Sequence, residues 1–149
     1  MTMIIILALV GVVISMIVGT LWHMPQSPMG RLHMRYIGFD TLSPEEQKQK
    51  MEEGKAMMPK MYGGQAVLSF LMSFAVVYVV TLSIQNGMAT LAAIGFVAFN
   101  WLCFMVPVVG GNILWGNCDR AIAWKKFFSD AGYQLVTVVI IALVASWFV

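Results

Sequence analysis

Four runs of apolar residues divide this chain, at about 3–22, 65–84, 88–115 and 131–149, and the polar residues gather between them. About 20 uncharged apolar residues in an α-helix cross the hydrocarbon core of a bilayer while satisfying their own backbone hydrogen bonds. No Asp, Glu, Lys, Arg or His falls inside any of the four runs. The pattern predicts an all-α polytopic membrane protein, a single bundle of four transmembrane helices spanning residues 1–149. The third run is too long: at about 1.5 Å per residue it would reach about 42 Å against a core of about 30 Å. It should tilt, end early, or kink at Pro107 and Gly110-Gly111, leaving 112–115 at the interface.

The connections carry their own signals. In 23–64, Ser43-Pro44-Glu45-Glu46 supplies an N-cap serine, a proline at the first helical position and a glutamate at the third, which is a capping box. A cytoplasmic interfacial helix should run from Pro44 at least to Lys55 and lie on the membrane surface, with bends at Gly54, Pro59 and Gly63-Gly64. Pro25 and Pro28 break the exit from the first run, and 29–39 mixes basic, aromatic and apolar residues as an interfacial segment does. Gly19-Thr20-Leu21-Trp22 and Gly111-Asn112-Ile113-Leu114-Trp115 each close a run before a basic stretch. They are a faint sign of a parallel internal repeat.

Charge sets the orientation. Arg31, Arg35, Lys48, Lys50, Lys55 and Lys60 lie in 23–64, and Arg120, Lys125 and Lys126 lie in 116–130, so these two segments hold all nine basic residues. Basic residues near membrane ends are kept cytoplasmic, so both connections should face the cytoplasm and both termini the outside. Such one-sidedness argues against dual-topology insertion. Met1-Thr2-Met3 is not a basic n-region and no small-x-small site follows, so the first run should be retained rather than cleaved. Composition agrees: 60% hydrophobic against 11% charged residues is the balance of a lipid-dissolved chain, and a net charge of +2 is too small for a nucleic-acid partner. Cys103 and Cys118 form neither a disulfide framework nor a zinc spacing.

The candidate residues fall into three sets. Gly11, Ser15 and Gly19 on the first helix, Ser69 and Ser73 on the second, and Ala142 and Ser146 on the fourth make faces where backbones approach closely. Packing inside the bundle is the favoured reading, with self-association as the other. Asn100, Asn112, Gln134 and Thr137 either hydrogen-bond across the bundle or line a polar path, which Asn100, Phe104, Pro107 and Gly111 would stripe. Interhelical hydrogen bonding is again favoured. Trp22, Trp115 and Trp124 on one side and Trp147 on the other fit aromatic anchoring belts. The His23-Met24, Met29, His33-Met34 run with Met57-Met58 and Met61 could hold Cu(I), but the abundance of methionine explains it, and no metal or cofactor is expected. No nucleophile–base grouping, phosphate loop or carboxylate pair at membrane depth is present, so no catalytic residue is assigned and the chain is read as a non-enzyme.

The Gly19–Trp22 motif, the proline-containing exit with Gly30 and Arg31, the Ser43 cap, and the closing stretch from Ala131-Gly132-Tyr133 to Trp147 together resemble one family. It is that of the small bacterial membrane proteins grouped as domain of unknown function 1761. The resemblance covers essentially the whole chain, with short motifs, and His23 stands where an aromatic is expected. It implies a four-helix protein, a place in the bacterial inner membrane, and no assigned activity. Two functions follow from the residues. The first is an accessory component associating with itself or with other membrane subunits. The alternative is a passive channel or facilitator lined by the third helix.

Overall fold

The computed structural model describes residues 1–114 and 119–149, without the side chains of 112–114. Among the described residues the chain is all-α, with five helices and one short 3-10 turn. α1 spans Thr2–Trp22, α2 Pro28–Tyr36, α3 Pro44–Gln85, α4 Thr90–Leu114 and α5 Arg120–Ser146, with the turn at Phe39–Thr41. Four of them, α1, α3, α4 and α5, are long and apolar enough to cross a membrane.

α5 is the hub, touching α1, α2, α3 and α4, whereas α1 packs mainly on α3 and α5 and α4 on α3 and α5. The interior combines larger apolar residues such as Leu7, Ile94, Phe127 and Ile141 with many small ones. Ala8, Gly11 and Ser15 of α1, Ser69, Ser73 and Val77 of α3, and Thr137, Ala142 and Ala145 of α5 are all buried. Large apolar side chains such as Leu9, Ile17, Leu71, Phe99 and Phe104 point outward. Small residues at the helix contacts and large apolar groups on the outside are what a bundle packed in lipid shows. Tight backbone approach explains the choice: a Cβ placed on Gly11 would lie 2.6 Å from Ser73 Oγ, and one on Gly19 would lie 3.1 Å from the Tyr133 hydroxyl.

Two expectations about elements change. The capping box at Ser43 is present, with Glu46 N–H donating to Ser43 Oγ at 3.3 Å and Ser43 N–H donating to Glu46 Oε2 at 2.8 Å. The helix it starts does not stop before the second apolar run, however. α3 is continuous for 42 residues through Gly54, Pro59, Gly63 and Gly64. Proline removes one hydrogen bond and glycine costs about 1 kcal/mol relative to alanine, and neither outweighs a cap at one end and a packed apolar stretch at the other. The interfacial helix and the second run are therefore one element, whose first half is exposed. Likewise the segment 116–130 is not all connection, because α5 begins at Arg120, where Asp119 Oδ1 accepts from Ile122 N–H at 3.0 Å. α4 starts at Thr90 and carries Pro107 inside an unbroken helix. Trp115 lies outside the described residues, and with it the end of the second repeat motif. The turn between α3 and α4 needs Gly87, whose φ of 85° is disfavoured for any residue with a Cβ.

Candidate functional site

A groove of about 780 Å³ opens between α3, α4 and α5. Met72 and Val76 of α3, Phe96, Val97 and Phe104 of α4 and Val138 of α5 give it apolar walls. Into these walls are set Gln65, Ser69, Asn100, Trp101, Gln134 and Thr137. Some of their polar groups are occupied locally. Gln65 Nε2 donates to Ser69 Oγ at 3.2 Å, Asn100 Nδ2 to the Phe96 carbonyl at 2.8 Å and the Thr137 hydroxyl to the Tyr133 carbonyl at 2.8 Å. The interhelical bond expected of Asn100 is thus a bond to its own helix, four residues back. An amide in a helix finds that carbonyl nearer than any other.

Two of the residues that line the groove also carry a buried polar atom without a partner. Trp101 Nε1 and Gln134 Oε1 are buried with no hydrogen-bond partner among the described residues. Trp101 is only 9% exposed, so its N–H has little recourse to solvent. An indole N–H only donates and an amide oxygen only accepts, so one donor and one acceptor are left without a partner behind the groove walls. Leaving such groups unpaired costs about 1–3 kcal/mol each. Apolar walls, a few placed polar groups and a volume of several hundred Å³ are the usual character of a small-molecule site.

The expected site residues are distributed as follows. Asn100, Gln134 and Thr137 meet at the groove together with Ser69, and Phe104 joins them, whereas Pro107 and Gly111 do not line it. The side chain of Asn112 lies outside the described residues. Gly11, Ser15, Ser73 and Ala142 are inside the bundle, and Ser146 bonds its own helix at the Leu143 carbonyl. Trp22 Nε1 donates to Ser129 Oγ at 3.1 Å, Trp124 stacks edge-on against Phe127, and Trp147 is 77% exposed beyond α5. Trp101 is not among the residues singled out from the sequence. Its signal was position, since tryptophan belongs at the ends of apolar runs and this one sits in the middle.

At the basic end a second polar cluster ties α1, α2 and α5 together. His23 Nδ1 donates to the Gly19 carbonyl at 3.1 Å, and its Nε2 faces Asp130 Oδ1 at 3.6 Å. Lys126 binds the same carboxylate and lies 5.9 Å from the Tyr36 ring centroid. The His23 ring meets those of Tyr133 and His33 at 5.4 and 6.0 Å. Burial, then the charges of Lys126 and His23, hold the His33 pKa below its ordinary value, and Asp130 partly opposes them. Among the described residues no group of three or more His, Cys, Asp or Glu is placed to hold a metal ion.

The sequence pattern of a family described as protein of unknown function (DUF1761) matches residues 6–146. The chain belongs to the DUF1761 family. No curated protein and no solved structure matches it. The DUF1761 region runs from the second turn of α1 to the last residue of α5, so the groove and the basic-end cluster both lie within it.

Proposed function

We propose that this DUF1761 protein crosses the bilayer four times, with its basic connections cytoplasmic, and works without catalysis by holding a small amphiphilic guest in the groove between α3, α4 and α5. The guest has an apolar body and a hydroxyl- or amide-like group that meets the polar side chains set into the groove walls. One observation carries this reading: a groove of about 780 Å³ whose apolar walls also hold Gln65, Ser69, Asn100, Gln134 and Thr137. In hydrocarbon those polar side chains could not be satisfied by lipid tails. The volume suits a molecule and is well short of a transmembrane helix, whose cylinder is about 10 Å across and about 30 Å long.

Association with other membrane subunits is the second reading, and the bulky outward face of α4 favours it: Phe99 is 60% and Phe104 69% exposed. The small-residue faces of α1, α3 and α5 are engaged inside the bundle and offer a partner little. A passive path along α4 is less well supported, since Pro107 and Gly111 do not share the groove with Asn100. Native mass spectrometry from mild detergent tests these readings together. The expected species is the 16.5 kDa chain carrying a bound mass of a few hundred daltons, absent from Ala75→Trp, which fills the groove. A second polypeptide in fixed ratio would favour association. A bare chain that takes up no hydroxylated amphiphile would end the guest reading.

A further inference from the structure

We infer that the basic end of the bundle carries a second binding site, for the phosphate headgroup of an anionic phospholipid. This rests on the bilayer reading above and is independent of the groove's guest. A pocket of about 740 Å³ lies between the exit of α1, the short helix α2 and the first turns of α5. Arg31 and Arg35 of α2 and Lys125 of α5 line it, and Trp22, Leu32 and Phe128 supply its apolar wall. Arg31 and Arg35 are one helical turn apart, so both guanidinium groups reach the same side of α2.

The charges are available. Lys126 takes Asp130, and Arg35 shares Asp40 at 3.6 Å, but Arg31 and Lys125 have no carboxylate partner among the described residues. Arg31, Arg35 and Lys125 are all exposed. Two features fix α2 as one wall. Ser27 caps it, accepting from Gly30 N–H at 2.8 Å, and Gly30 sits so close beneath the loop that a Cβ there would lie 1.9 Å from the Met24 carbonyl oxygen. The cations are thus held by a folded element and do not hang from a loose connection.

Depth chooses the source of the phosphate. Trp22 ends the first apolar run and Ala131 begins the last, so the pocket stands at the level of the headgroups, where the cytoplasmic leaflet is anionic. A headgroup there places its phosphate against arginine, which matches phosphate oxygens in pairs, and its upper acyl chains along Trp22, Leu32 and Phe128. Free phosphate would use the cations and leave that apolar wall bare.

The test is lipid competition in nanodiscs of phosphatidylcholine containing a small fraction of phosphatidylglycerol or cardiolipin, read by native mass spectrometry of the ejected protein. Incorporation of the protein tests the bilayer reading separately from the site. Wild type should retain the anionic lipid in preference to phosphatidylcholine. R31Q/K125Q should lose that preference by roughly tenfold or more. K48Q/K50Q, with the same loss of charge on the exposed half of α3, should keep it. If R31Q/K125Q fails to fold, the wild type still decides, because millimolar inorganic phosphate should not displace the lipid. Equal retention of neutral and anionic lipid, equal behaviour of the two double variants, or displacement by inorganic phosphate would each overturn the assignment.

Discussion

Gly11 has no room for a methyl group, because Ser73 Oγ and Cβ already occupy the space at 2.6 and 2.7 Å from where it would stand. Gly11→Ala should therefore lower stability by about 1–3 kcal/mol through overpacking, seen as earlier melting in detergent, and an unchanged midpoint would contradict the packing. The glycine periodicity of α1 made this face legible in the sequence. What it touches was not, since a spacing of four names a stripe and not the helix that lies on it. His33 gives a prediction of a different kind. Its lowered pKa means that the folded protein binds that proton less readily than the unfolded chain does. Stability is complete above the unfolded value of about 6.5 and declines as the pH falls below it. His33→Gln should reduce the loss of melting temperature between pH 7.5 and 5.5, and identical slopes for variant and wild type would rule the effect out. The sequence shows His33 only as part of a His/Met run, because the environment that shifts it is assembled from α1, α2 and α5.

Among the elements, α3 departs furthest from its sequence. The start at Ser43 was readable because a capping box is local chemistry, confined to four residues. The continuation was not, since Gly54, Pro59 and Gly63-Gly64 read as breakers whenever each is weighed alone. Their surroundings are open: a Cβ on Gly54, Gly63 or Gly64 would meet nothing within 4 Å. Gly63→Ala and Gly64→Ala should thus stabilise the helix by about 0.5–1 kcal/mol each, which slower hydrogen exchange across 60–67 would register. Exchange unchanged or faster in both variants would mean that these glycines mark a real bend. Ser43→Ala should have the opposite effect, costing about 0.5–2 kcal/mol and speeding exchange in the first turns. The groove belongs to this scale as well. Asn100, Gln134 and Thr137 were legible as polar residues in apolar runs, but only the way α4 and α5 stand against α3 turns them toward one space.

For the whole molecule the segregation of charge makes the plainest prediction. With Cys103 and Cys118 replaced, a cysteine probe at Gln85 should be labelled from outside intact cells and one at Gln49 should be spared. The reverse pattern would invert the topology proposed here. The architecture also has an order in time. α5 meets every other helix and supplies Val138, Ile141, Ala142 and Ala145 to the core, yet it leaves the ribosome after the other four. At about 5–20 residues per second its 27 residues take seconds to make. Through that interval α1 and α3 can pair, but α4 has only its neighbour α3 to lean on and the groove lacks a wall. A nascent chain stalled before Ala131 should thus be a substrate for membrane quality control. Assembly should then wait for α5, the keystone of the bundle.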